Sequence, residues 1–159
     1  MLNLFKRFAI VAVAIVMGSC GTVSDDVLKT DEVILDNTYK IPVQDITLSI
    51  IDLSKEDRPK FFITAPYITI EALKDVEPVP GEGWGDLFYK QCIDMILLDK
   101  DGVELHRLVS GDAPMTNGQK KRCEFVGDKS KDKVKLEEII KRTKSVRFEI
   151  SERSILIVD

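Results

Sequence analysis

The chain holds a single histidine, His106, among 159 residues, and this scarcity removes several chemistries at once. A Ser-His-Asp site would have to use it, with Ser110 the nearby serine, yet no G-x-S-x-G elbow is present. One histidine without cysteine partners does not make a common zinc site. No glycine-rich loop that cradles phosphate and no metalloprotease helix appears either. His106 sits between Leu105 and Arg107 in an alternating stretch where Glu104, His106 and Leu108 share a face. A solvent-facing strand histidine is the expectation there. The sequence thus points to no catalytic residue, no cofactor and no resident metal.

Long apolar runs are also missing. The longest, Phe8 to Met17, has ten residues, and a membrane-spanning helix needs about 20. The run follows Lys6-Arg7 and is followed by Gly18, Ser19 and Cys20. A basic start, a short apolar stretch and small residues after it have the form of a secretory signal peptide. Met17-Gly18-Ser19-Cys20 resembles the lipobox of bacterial lipoproteins, a likeness confined to the first 20 residues. It implies cleavage before Cys20, a lipid on its thiol and acylation of the new amino group. Each buried methylene contributes about 0.8 kcal/mol, and one acyl chain alone holds only marginally, so several chains give lasting attachment. The implied address is the bacterial cell envelope. Gly21, where an Asp would favour the inner membrane, leans towards the outer membrane facing the periplasm.

Cysteine is scarce, with three residues. If Cys20 is lipidated, Cys92 and Cys123 remain as the candidate disulfide pair in an oxidising compartment. A bridge would close a loop of about 30 residues and contribute roughly 3–4 kcal/mol. Alternation places Cys92 with Asp94, opposite Ile93, Met95 and Leu97, while Cys123 shares a face with Phe125. A bridge through the core therefore needs a bulge or a neighbouring-strand geometry; two separate, partly buried thiols are the alternative.

The charge leaves little room for nucleic acid. The net charge is −4 over the whole chain and −6 once Lys6 and Arg7 are removed. Binding phosphate backbones needs clustered cations. One basic cluster does exist: Lys120, Lys121 and Arg122, with Lys129, Lys131, Lys133 and Lys135. A solvated face is the plain reading, and contact with anionic headgroups or lipopolysaccharide is the functional one.

The pattern divides the chain into a leader (1–19), a tether (20–36) and one folded domain (37–159). Gly21 to Lys29 is small and polar, with a reach near 20 Å for about ten flexible residues. Glu32 to Leu35 reads as a short strand or more tether. Ile46, Leu48 and Ile50 alternate with polar neighbours across Val43 to Ile51. Pro66 marks a bulge, edge or break between two apolar stretches, Phe61 to Thr64 and Tyr67 to Leu73. Leu87 to Leu98 is the strongest strand, and Asp101-Gly102 turns it into Val103 to Val109. Asp99 and Asp101 also have the spacing of the first calcium ligands of an EF-hand. Ser110 stands where the bidentate carboxylate belongs, however, and the flanking helices are missing. Gln119 to Val126 is a further strand. Leu136, Ile139, Ile140 and Thr143 recur at helical spacing. Lys144 to Ile150 and Ser154 to Val158 read as two final strands.

Seven or eight strands and one short helix predict a mainly β domain, a β-sandwich or small barrel. Ile93 to Gly102, an alternating strand and a D-x-D-G turn, resembles the paired strands of immunoglobulin-like domains in bacterial lipoproteins. That likeness implies a scaffold or binding module without assigned chemistry. The expected role is non-enzymatic: a membrane-anchored envelope module that binds a protein or an envelope polymer. Trp84, the only tryptophan, is the candidate partner contact, on a loop from Lys74 to Asp86 rich in proline and glycine. Its alternative use is as a plug over the core. The rival function is a carrier of lipid or another hydrophobic ligand, its apolar cavity lined by residues such as Phe62, Ile68, Met95 and Phe125.

Overall fold

The computed structural model describes residues 27–55, 58–76, 79–80, 87–110 and 113–156, with backbone alone at 79–80, 87–91 and 152–156. The strands are β1 (Leu28–Thr30), β2 (Val33–Leu35), β3 (Tyr39–Ile41), β4 (Gln44–Ile46), β5 (Ser49–Asp52), β6 (Phe61–Ala72), β7 (Val79–Pro80), β8 (Leu87–Leu98), β9 (Glu104–Ser110), β10 (Lys120–Gly127) and β11 (Ser145–Leu156). Among the described residues one helix, α1 (Lys133–Arg142), lies between β10 and β11. The protein is mainly β, as its alternation and turns predict.

One sheet carries the order β11-β8-β9-β10-β6-β3-β2, with β5 joined to β6 and β7 to β8; β1 and β4 form a separate pair. Every pairing is antiparallel. β2, at one end of this order, lies against β11 at the other, and β1 of the separate pair also contacts β11. The sheet therefore curls almost closed, which shelters strand edges that would otherwise offer unpaired donors and acceptors.

β6 is the bent spine. Ile63 and Ala65 face the core before the bend, and Ile68, Ile70 and Ala72 face it afterwards. The parity changes because β10 pairs Phe125 with Ala65 but Cys123 with Ile68, leaving one extra residue on β6. Pro66 supplies a position without a donor there, and Tyr67 takes the left-handed region at φ 65°. The two apolar stretches around Pro66 are thus one bulged strand. The Gln44 side chain continues the ladder at this bend: Thr69 N–H donates to its Oε1 at 2.8 Å, and its Nε2 donates to Thr69 O at 3.0 Å.

Three other boundaries differ from the sequence pattern. Paired strand is already present at Leu28, ahead of the expected boundary at 37, because Leu28, Thr30 and Leu35 are buried in strands paired with β4 and β3. Three-residue strands are too short to show a period, so composition alone reads them as tether. The stretch from Val43 to Ile51 is split into β4 and β5. The last two strands are one, β11, paired residue by residue with β8 from Ser145–Leu98 to Leu156–Leu87, and Glu152-Arg153 lies within it.

The helix follows its sequence signals. Asp132 caps it by accepting the Lys135 N–H at 3.0 Å, and Thr143 closes it by donating to Ile139 and Ile140 carbonyls. Leu136 and Ile140 enter the core cluster, with Ile139 packed against it. The β8–β9 turn also forms as read, with Gly102 at φ 77°.

Candidate functional site

The predicted contact residues divide unevenly. Cys20 and Trp84 lie outside the described residues. Cys92 and Cys123 are present as buried thiols on β8 and β10, strands with β9 between them in the ladder. Both thiols act on Tyr39, whose hydroxyl is pushed above its ordinary pKa first by burial and then by them. That hydroxyl has no hydrogen-bond partner among the described residues.

His106 corrects the expectation of a solvent-facing side chain. It does share a face with Leu108, but Leu108 is fully buried, so that face is the inner one. His106 stands opposite Leu97, also fully buried. Its Nε2 has no partner among the described residues, and a Cβ added at Gly127 would lie 2.5 Å from it. Burial lowers its pKa; Asp128 opposes this and Lys135 adds to it. The unfolded chain then takes up the proton more readily than the folded one. The penalty is absent above the unfolded value near 6.5 and grows as pH falls below it, until the folded pKa is passed. Melting followed from about pH 8 to about pH 5 should show stability falling as pH falls, less steeply in His106→Gln.

Asp99 is occupied as a turn residue. Its Oδ1 accepts the Asp101 and Val103 N–H groups at 2.9 Å each, and Arg142 reaches its Oδ2 at 3.7 Å. The Val103 N–H is the first cause of its lowered pKa. Among the described residues no group of three or more His, Cys, Asp or Glu converges as a metal site.

The basic cluster read from the sequence separates into two. Lys120 stands opposite Glu71 at one end of β10 and pairs with it at 3.5 Å. Lys129 and Lys131 lie past the other end, roughly 25 Å away along eight residues of strand. There they meet cations that sequence distance hides. Phe61 and Ser130 exchange backbone hydrogen bonds at 2.8 and 2.7 Å, which ties the β5–β6 loop to the β10–α1 connection. Ser54 Oγ and Leu53 N–H hold the backbone of Lys60 in that loop at 2.9 and 2.8 Å. The antiparallel register through Phe61 and Ser130 sets Lys60 across from Lys131, with Lys129 on the diagonal.

The result is a cleft of about 400 Å³ lined by Arg58, Pro59, Lys60, Lys129, Ser130 and Lys131. None of its four cations pairs with a carboxylate among the described residues. The Lys129 ammonium is the first cause of the lowered pKa of Lys60. Asp132, beside Lys131, gives its Oδ1 to the helix cap, and Asp128, beside Lys129, acts on His106. Arg58 and Lys60 escaped the sequence reading because they sit roughly seventy residues before their partners, in a loop that carries charges of both signs. Comparison with known protein families, curated proteins and solved structures finds no match to this chain.

Proposed function

We propose that the chain is a lipid-anchored module of a bacterial envelope, held at Cys20, that works by binding rather than catalysis. The observation that carries the binding half is the cationic cleft, whose Arg58, Lys60, Lys129 and Lys131 pair with no carboxylate among the described residues, in a chain of net charge −4. The basic start, short apolar run and Met17-Gly18-Ser19-Cys20 carry the anchoring half. No helix among the described residues is long and apolar enough to cross a membrane, and an acyl anchor needs none.

The likeness to immunoglobulin-like modules rests on the β8–β9 hairpin. A scaffold role suits it, although the curled strand order is closer to an open barrel than to two facing sheets. The carrier reading has less support: Ile68, Met95 and Phe125 belong to one buried cluster with Leu136, Ile140 and Phe148, while Phe62 is only half-buried. Trp84 stays the candidate contact for a protein or polymer partner.

Expression in a bacterium with an alkyne-bearing fatty acid tests the anchor. The wild-type chain should take up the label and sediment with membranes; Cys20→Ser should do neither. A native product whose residue 20 is an unmodified thiol would overturn the proposal.

A further inference from the structure

We propose that the cleft between the β5–β6 loop and the β10–α1 connection takes a phosphoryl group, presented on the anchored chain by an anionic phospholipid headgroup. The second half rests on the anchor at Cys20; the phosphoryl chemistry does not.

The chemistry follows from the lining. The register through Phe61 and Ser130 sets Lys60 and Lys129 on one diagonal, and neither pairs with a carboxylate among the described residues, an arrangement that an anion would relieve. Arg58 adds a planar fork of donors suited to phosphate oxygens, and Lys131 adds a fourth charge. A single carboxylate would satisfy part of this set, whereas a phosphoryl group brings several acceptor oxygens to several donors.

The chain's direction supplies the source. Along β6, from Ala72 to Phe61, the partners are Tyr39 and Lys40, then the Gln44 side chain, then Ser49 to Asp52. The β3–β5 stretch therefore runs towards the cleft. β1 is antiparallel to β4, with Leu28 opposite Ile46, so the chain enters β1 from the cleft side. Eight peptide steps separate Cys20 from Leu28, a span of at most about 29 Å. Ile46 to Asp52 covers roughly 20 Å of that distance towards the cleft. An anchor at Cys20 thus brings the cleft end to the lipid surface along the direct route. At the surface, anionic lipid attracts each Lys or Arg by an increment that falls off within a Debye length.

The test uses the mature chain, residues 20–159, with Cys20→Ser to remove the anchor. Mixed phosphatidylglycerol–phosphatidylcholine vesicles should bind it at low salt, and phosphatidylcholine alone should not. K60E/K129E should weaken that binding at least about thirtyfold. K120E/R122E, at the other end of β10, should have only a small effect. K60Q/K129Q serves as a second, milder pair, and unchanged melting of each variant separates lost binding from lost folding. Equal loss from the two ends would overturn the site, since overall charge would then explain it. Inorganic pyrophosphate should compete with the vesicles. Pyrophosphate binding that depends on Lys60 and Lys129, without vesicle binding, overturns the headgroup and leaves a soluble phosphate ester as the source. Failure of both probes overturns the proposal. Vesicle discrimination that holds while native Cys20 carries no lipid leaves the cleft standing and removes the anchor.

Discussion

Replacing Arg107 by methionine should destabilise the domain by about 3 kcal/mol, read as a melting temperature lower by roughly 10 °C. The reason lies on the outer face of β8. Asp94 has a side chain 1% exposed, and Arg107 Nη1 donates to its Oδ2 at 2.9 Å while Ser151 Oγ donates to its Oδ1 at 2.7 Å. Glu149 stands directly across the β8–β11 ladder from Asp94, and the same Arg107 nitrogen pairs with it. Glu104 binds the guanidinium from its own strand at 3.2 Å. These three carboxylates, Glu104 first, raise the arginine pKa still further above its ordinary range. Methionine keeps much of the packing of the stem but leaves Asp94 buried beside Glu149, two like charges facing across a strand pair. Arg107 is itself 34% exposed, so water recovers part of the loss, and the expected value lies at the low end for a broken buried pair. Asp94→Asn should be milder alone and should restore part of the stability when added to Arg107→Met. Equal, additive losses would mean that the two residues do not interact.

This cluster shows where sequence legibility stops. Alternation correctly sets Ile93, Met95 and Leu97 inward on β8 and Asp94 outward. Outward there does not mean wet, because β9 and β11 flank Asp94 and their side chains cover it. Alternation reports which residues share a face; what covers that face is decided by partners such as Arg107 and Ser151, thirteen and fifty-seven positions away. The same limit explains His106, grouped correctly with Leu108 and assigned to the wrong side. It explains the cleft too, since Arg58 and Lys60 join Lys129 and Lys131 only through the Phe61–Ser130 contact. Local signals fared better. Pro66, Asp101-Gly102 and the Leu136–Ile140 spacing act through their own backbone or one turn of helix, and each forms as read.

The interior decides between a binding module and a carrier, and Phe125→Ala is the experiment that asks it. Phe125 is fully buried, faces Ala65 across the β10–β6 ladder, and meets Phe148 edge to face with ring centroids 5.8 Å apart. Ala65 is small where Phe125 is large, and the ring reaches Phe148 on β11. Removing it should leave a hole that strands pinned on both edges close only in part, with a loss of about 4 kcal/mol, including the aromatic pair. Thermal melting should then fall by roughly 15 °C. A ring that instead lined an open apolar cavity would already lack neighbours on one side. Its truncation would enlarge the cavity at little expense, about 1 kcal/mol or less, and would raise uptake of an apolar dye. The first outcome follows if the interior belongs to the side chains of Ile68, Met95, Leu136, Ile140 and Phe148, leaving surface clefts to do the binding.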